Sequence, residues 1–347
     1  MSKIKKKVIA IVGPTASGKT AFGVRLAKEF DGEIISADSR QVYRGLDLGT
    51  GKDLGEYDGV PYYLIDIADP EEKMTLFDYL PLARAAIADV LSRGKLPIIV
   101  GGTGLYVQGI VEGFELIKDE GLRTQDLGSY KREELDEKSV KELNEILDKI
   151  DPDKNLKVDR KNAHRLIRAI EMAQDGLTPV RIKPDFEVLQ IGIDVPRDVL
   201  HKKIDKRVDA RFAEGMLIEV QGLIDRGVST DWLIGLGLEY RIMTEYILSK
   251  NNGQISNIKY QVSHKVSNDQ IEQPGFRIPS TQLRAGKSGM TEQGGRPQTF
   301  EEISQDLKFK SHQFARRQMT WFRRFPEINW LSDYDQIKRF VKIFITH

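Results

Sequence analysis

The sequence predicts an α/β fold: a parallel sheet with helices on both faces, plus a helical insertion. Three observations predict it. A β-branched run, Val8-Ile9-Ala10-Ile11-Val12, leads through a glycine-bounded turn into a helical pattern with Phe22, Leu26 and Phe30 on one face. Short apolar runs then alternate with helical periods, as parallel strands joined by crossover helices do. From about Glu115 to Gln174 the pattern becomes charged and helical with no strand signal, which reads as an insertion into the α/β core.

The elements follow in order. The first strand precedes a helix over about Lys19 to Phe30, ended by Asp31-Gly32; Glu33 to Ala37 is a second strand and Tyr62 to Asp66 a third. A helix over about Thr75 to Arg93 carries Leu82, Ala86 and Val90 and stops at Gly94. Leu96 to Val100 is a fourth strand running into Gly101-Gly102-Thr103-Gly104. Within the insertion, Asn162 to Ile170 is helical, with Arg165 and Arg168 one turn apart. Val188 to Val195 returns to the sheet, and a long helical region follows, with Leu200, Ile204 and Val208 on one side and Lys203 and Arg207 on another. Residues 250–298 are rich in Gln, Ser, Gly and Asn without periodicity and read as a disordered insertion. Phe300 to Arg324 is helical again. The expected organisation is therefore a core in three pieces (1–114, 181–249 and 299–347), a helical insertion at 115–180, and the 250–298 stretch.

Composition narrows the function. With 347 residues and 40% apolar content, the chain can build a substantial core. A net charge of +1 gives no global basic field, so any nucleic-acid site must be a local patch. Cysteine is absent, which excludes disulfides, thiolate-bound zinc and a thiol nucleophile, and fits a reducing cytoplasm. No apolar segment is long enough to span a membrane and no secretory signal is visible, so no membrane partner is expected.

The turn after the first strand is Gly13-Pro14-Thr15-Ala16-Ser17-Gly18-Lys19-Thr20. Glycine, four residues, then Gly-Lys-Thr, between a strand and a helix, is the phosphate-binding loop of P-loop NTPase-like folds. Its amides converge on an anion at a helix N-terminus, Lys19 adds a point charge, and the Thr20 hydroxyl can hold Mg2+. Asp38 stands at the next strand end, where it can serve as a general base, a magnesium ligand or a helix cap. Arg165, Arg168, Arg316, Arg317, Arg323 and Arg324 can meet phosphates, and Trp321 and Phe322 can stack on unpaired bases; the alternative is a solvated helix face over buried aromatics.

Four segments in order now resemble one family. They are Gly13 to Thr20 with Asp38-Ser39-x-Gln41-x-Tyr43-Arg44-Gly45-Leu46-Asp47-Leu48-Gly49-Thr50-Gly51-Lys52; Gly101-Gly102-Thr103-Gly104-Leu105-Tyr106; Asn162-x-x-Arg165-x-x-Arg168-Ala169-x-Glu171; and Arg317-Gln318-x-Thr320-Trp321-Phe322-Arg323. Together they resemble the tRNA dimethylallyltransferases, also called tRNA isopentenyltransferases. The resemblance implies transfer of a dimethylallyl group from dimethylallyl diphosphate to the N6 amine of adenosine 37 in tRNA. It implies Asp38 as the base, the loop Gly13 to Thr20 as the diphosphate cradle with Mg2+ on Thr20, and Arg207 on the diphosphate. It also implies tRNA contacts from Asp38, Ser39, Arg40 and Gln41; from Thr103 and Arg123; from His164, Arg165, Leu166, Ile167 and Arg168; from Leu236, Gly237, Leu238, Glu239, Tyr240 and Arg241; and from Arg316, Arg317, Gln318, Thr320, Trp321 and Arg323. The implied partner is the anticodon stem-loop and the implied assembly a monomer. A nucleotide kinase on the same fold, with ATP in the loop, is the second reading.

Overall fold

The computed structural model describes residues 6–118, 130–151, 158–251 and 299–347. Its strands are β1 (Lys6–Val12), β2 (Gly32–Ser36), β3 (Tyr62–Tyr63), β4 (Leu96–Gly101), β5 (Phe114–Lys118), β6 (Leu177–Arg181), β7 (Phe186–Ile193) and β8 (Asn329–Leu331). The described helices are α1 (Lys19–Glu29), α2 (Leu76–Ser92), α3 (Gly104–Val111), α4 (Arg132–Asp136), α5 (Val140–Ile150), α6 (Ala163–Gln174), α7 (Arg197–Glu214), α8 (Met216–Asp225), α9 (Thr230–Gly235), α10 (Leu238–Asn251), α11 (Phe300–Phe322) and α12 (Tyr334–Thr346). The chain divides into two units.

The larger unit comprises Lys7–Met74, Ala86–Gly104 and the described part of Val188–His347. Its sheet has the order β3-β2-β4-β1-β7-β8. The β3–β2, β2–β4, β4–β1 and β7–β8 pairs are all parallel, with Val12 opposite Gly101 and Ser36 opposite Val100. The carboxyl ends of β1, β2 and β4 therefore lie along one edge, where open parallel sheets bind ligands. Val8 to Val12 are fully buried, as expected of a strand covered on both faces. Ile9, Ile11, Ile34, Ile98 and Ile191 share one core cluster with Val24 and Leu26 of α1.

Three expectations change here. The third strand stops at Tyr63, because Leu64 and Asp66 take positive φ (67° and 56°) and turn the chain out of the sheet. The helical region after β7 is broken at Gly215 (φ 99°) into α7 and α8. Beyond Arg324, in the stretch expected to be a helical part of the core, an unexpected strand β8 adds to the sheet edge and α12 buries Ile337 and Val341 in the main core. The signal for α12 was present: Asp333 caps it, accepting from Gln336 N at 3.1 Å, and its apolar residues recur every three to four positions.

The smaller unit includes Thr75–Ala85 and the described part of Leu105–Glu187. Helices dominate it, with Leu143, Leu147, Leu166 and Ile170 forming its centre. Ser139 starts α5 with a capping box, Ser139 N donating to Glu142 at 2.8 Å and Glu142 N to Ser139 Oγ at 3.3 Å. The expectation of no strand between Glu115 and Gln174 is corrected by β5, which pairs antiparallel with β6, Phe114 opposite Arg181 and Lys118 opposite Leu177. The expected insertion limits, 115 and 180, fall inside these strands. Residues 252–298 lie outside the described residues, as does Arg123.

Candidate active site

The phosphate loop bends because Ala16 and Gly18 both adopt left-handed backbone (φ 60° and 88°), Gly18 sitting at the N-cap of α1. Ser17 N closes the turn onto Pro14 O at 3.3 Å. Lys19, the first residue of α1, donates from Nζ to Pro14 O at 3.4 Å. Desolvation, reinforced by the nearby Arg207 cation, lowers the Lys19 pKa to about 8, with Asp38 pulling the other way.

Asp38 is brought beside this loop by backbone pairing between strand ends: Ala37 N donates to Val100 O at 2.8 Å, and Thr103 N to Ala37 O at 3.4 Å. Ser39 N adds a bond to Thr103 Oγ1 at 3.2 Å, and Asp38 Oδ1 accepts from Arg40 N at 3.0 Å. A cavity of about 420 Å³ in the larger unit is bordered by Thr15, Lys19, Thr20, Asp38, Gln41, Gly51, Lys203, Arg207, Arg211 and Gln318. The phosphate loop, the Asp38 segment and the Gly-Gly-Thr turn thus meet in one concavity.

Its far wall is the 47–53 loop, fixed from three sides. Gln41 accepts from Ser36 Oγ at 2.9 Å and donates to Gly51 O at 2.9 Å. Glu219 accepts from the amides of Asp47, Leu48 and Gly49 at 2.9, 2.6 and 3.1 Å, and from the Tyr240 hydroxyl at 2.8 Å. Lys52 is fully buried, donating to Tyr43 O at 2.8 Å and pairing with Asp47 at 2.7 Å and with Asp66. Gly51 (φ 63°) supports two guanidinium groups: a Cβ there would lie 1.6 Å from Arg211 and 1.9 Å from Arg207. Arg207 donates to Thr15 Oγ1 at 3.3 Å, and Asp53 is near both arginines at 3.7 and 3.8 Å. Arg207 Nε and one terminal nitrogen of Arg211 are buried with no hydrogen bond among the described residues. Buried donors without acceptors beside a polar cavity are chemically suited to receive an anion.

The sequence missed Arg211 and Glu219. Arg211 was within reach, because the Lys203–Arg207 spacing extended by one more helical turn lands on it. Glu219 carried no local signal: its three amide partners lie about 170 residues away.

The residues expected to touch RNA are distributed unevenly. Arg40 is ion-paired with Glu239 at 2.8 Å, and its guanidinium lies 5.4 Å from the Phe314 ring centre. Leu236, Gly237 and Leu238 are half-buried. Arg241 donates to Ile234 O at 3.2 Å. Tyr240 is fully buried, its hydroxyl given to Glu219, so its side chain serves the interior. On α11, Arg316, Arg317, Thr320 and Arg323 are exposed, and Arg316, Arg317, Thr320 and Trp321 line a second hollow of about 400 Å³ with Gln313 and Arg324. Trp321 sits against Gly104, where a Cβ would come within 2.1 Å of the indole. Phe322 is buried at 2% exposure, which for this residue matches the alternative of a buried aromatic. Gln318 is buried as well and bonds to the protein on both sides, Thr15 N and Gly102 O. In the smaller unit His164 and Arg165 are exposed and Arg168 half-buried, whereas Leu166 and Ile167 belong to the core and present no side chain to a partner.

Among the described residues no cluster of three or more His, Asp or Glu is set to hold a metal. Magnesium does not need one, since it takes one or two protein oxygens and completes its shell with phosphate and water. The Thr20 hydroxyl borders the cavity and fits that requirement, leaving the Asp38 carboxylate of the same cavity without a metal role. No described helix is long and apolar enough to cross a membrane.

Comparison with known proteins agrees with this geometry. The family model for IPP transferase matches residues 41–325, and that for isopentenyl transferase matches residues 6–57. The tRNA dimethylallyltransferase 2 of Shewanella sediminis is 38% identical over 94% of this chain and 93% of its own length. The tRNA isopentenylpyrophosphate transferase of Bacillus halodurans superposes with a TM-score of 0.61 at 33% identity, covering 99% of this chain and 97% of that one. A eukaryotic dimethylallyltransferase shares the fold, with a TM-score of 0.62 at 22% identity over 91% of this chain and 69% of its own. The chain belongs to the IPP transferase family of tRNA dimethylallyltransferases.

Proposed function

We propose that this protein transfers the dimethylallyl group of dimethylallyl diphosphate to the exocyclic N6 of adenosine 37 in tRNA, releasing diphosphate. The observation that carries the proposal is the single cavity in which a phosphate loop, a carboxylate and two guanidinium groups converge, Arg211 buried and Arg207 half-buried, each with a buried nitrogen that makes no hydrogen bond among the described residues. The acceptor amine is a weak nucleophile, because its lone pair is delocalised into the purine. It becomes acidic as it bonds to carbon, and Asp38, held by the Arg40 amide, takes that proton. The departing diphosphate gathers negative charge, which the loop amides, Lys19, Arg207 and Arg211 stabilise. Mg2+ held through Thr20 and phosphate oxygens, with Asp38 within the same cavity, would supply further charge neutralisation at the leaving group. The exposed arginines of α11 beside Trp321 suit an RNA backbone with an unstacked base, and the target adenosine has to leave its stack to be reached.

The test is incubation of the protein with labelled dimethylallyl diphosphate and unmodified tRNA, followed by digestion and nucleoside mapping. Label on N6 of adenosine 37, released diphosphate and no dependence on ATP are expected. Label transfer that requires ATP, or no label in tRNA, would refute the proposal and favour the kinase reading.

A further inference from the structure

Gln318 lies in the α11 segment whose exposed residues face outward, yet its own side chain is 8% exposed. Both ends of its carboxamide are bonded to the protein: Oε1 accepts from Thr15 N at 2.8 Å, and Nε2 donates to Gly102 O at 2.8 Å. Thr15 belongs to the phosphate loop and Gly102 to the turn after β4, so one amide joins two separate walls of the cavity. The contact is built to be close, because a Cβ at Gly102 would stand 2.7 Å from Nε2. Thr15 is also held by its hydroxyl, which accepts from Arg207 at 3.3 Å. The backbone N–H and the hydroxyl of Thr15 are thus held by helices other than the one the loop leads into. On the outward side of the same α11 turns, Arg316, Arg317, Thr320 and Arg323 are exposed.

We propose that Gln318 is a positioning residue that sets the phosphate loop and couples it to α11, so that RNA engaging the outer face of this helix and diphosphate in the cradle favour each other. The inference rests on the function proposed above and assigns Gln318 to the loop instead of to RNA. A phosphate loop works by the aim of its backbone N–H groups, and a bond to Thr15 N fixes which of them turn inward. A helix that shifts when RNA binds would move the Gln318 carboxamide, and with it the loop; by thermodynamic reciprocity diphosphate would tighten RNA binding by the same factor.

The experiment uses the full chain, inorganic diphosphate with Mg2+ as the anion probe, and an unmodified anticodon stem-loop RNA, titrated singly and together by calorimetry. In Gln318→Leu, diphosphate affinity is expected to fall about tenfold while RNA affinity alone stays within about twofold, and the mutual enhancement seen in the wild type is lost. Gln318→Glu keeps the acceptor for Thr15 N but sets a second oxygen against Gly102 O, and should lose coupling at temperatures where its melting profile shows the chain still folded. Under turnover, the effect should appear in KM for the prenyl substrate and in kcat, with KM for tRNA little changed. Loss of RNA affinity with diphosphate binding and coupling intact would overturn the inference, as would a wild type that binds both ligands without mutual enhancement. If the wild type failed to bind diphosphate at all, the function proposed above would fail first.

Discussion

Gly51 offers the sharpest perturbation in the cavity. In Gly51→Ala two effects act together. The residue is held at φ 63°, where an alanine is strained by about 1–2 kcal/mol. Its new methyl group would also stand 1.6 and 1.9 Å from the terminal nitrogens of Arg211 and Arg207, closer than any contact allows, so both guanidinium groups must leave the wall. If one charge-assisted hydrogen bond to the ligand is lost, about 2 kcal/mol of binding goes with it, or roughly thirtyfold in Kd. Gly59→Ala separates the two effects. That residue has similar backbone (φ 79°) with nothing within 4 Å of a Cβ, so it should lose about 1 kcal/mol of stability and no affinity. Urea unfolding and diphosphate titration measure the two quantities side by side. Diphosphate binding by Gly51→Ala at wild-type affinity would refute the claim that these arginines hold the anion, whatever happened to stability.

The other predictions follow from the same wall and its supports. Asp38→Asn should lower transfer by about 10²-fold or more with tRNA affinity within a few-fold; unchanged single-turnover rates would remove the base assignment. Lys19, with its pKa lowered to about 8, is charged below that pH, so diphosphate affinity should fall as pH rises through 8, a decline that Lys19→Met should lack. In the free protein the sign is opposite: the unfolded chain keeps that proton up to its ordinary value of 10.5, so this group adds stability as pH rises from 8 to 10.5. Lys52→Met leaves Asp47 and Asp66 facing a buried hole and should cost about 2 kcal/mol in chemical denaturation, less than a fully buried pair because both carboxylates still reach water. Arg317→Ala with Arg323→Ala should weaken tRNA binding and reduce its salt slope by about 1.5; a slope identical to the wild type would return α11 to the status of a solvated helix.

What the sequence revealed and what it hid follow one division. The phosphate loop, the Asp38 segment and the Gly-Gly-Thr turn are contiguous motifs, each tied to a strand end by local backbone pairing, so order along the chain was enough to bring them together. The alternation of buried β-branched runs with amphipathic helices was equally local, which is why β1, β2, β4 and β7 were legible. The strands that escaped were β5, β6 and β8, short and half-exposed, with too little alternation to stand apart from their charged surroundings. What the motifs could not report is which of their side chains turn inward. Gln318 and Phe322 sit in a run rich in exposed residues and Tyr240 in a half-buried one, but helical rotation points each of them to the interior, and runs of sequence do not report rotation.

The charges around the cavity give a last constraint. Lys19, Arg40, Lys203, Arg207 and Arg211 face Asp38, Asp53, Glu56, Glu214 and Glu239, five against five, so the lining is formally neutral. It is not evenly neutral: Arg40 is already matched by Glu239 at 2.8 Å, whereas Arg207 and Arg211 share a single carboxylate beyond 3.5 Å. A diphosphate therefore finds a local cationic wall within a site that has no overall positive surplus. Seating it leaves the cavity carrying the ligand's negative charge, which Asp38 and Glu56 would oppose through a low-dielectric interior. A divalent cation on the ligand removes most of that excess and leaves the Asp38 carboxylate to its proton-accepting role. Binding of diphosphate with Mg2+ should accordingly exceed binding of diphosphate alone, and the gap should narrow in Glu56→Gln, whose carboxyl is already pushed toward its neutral form by burial. Equal affinities with and without Mg2+ would show that the arginine wall suffices, and would release Thr20 from the metal role.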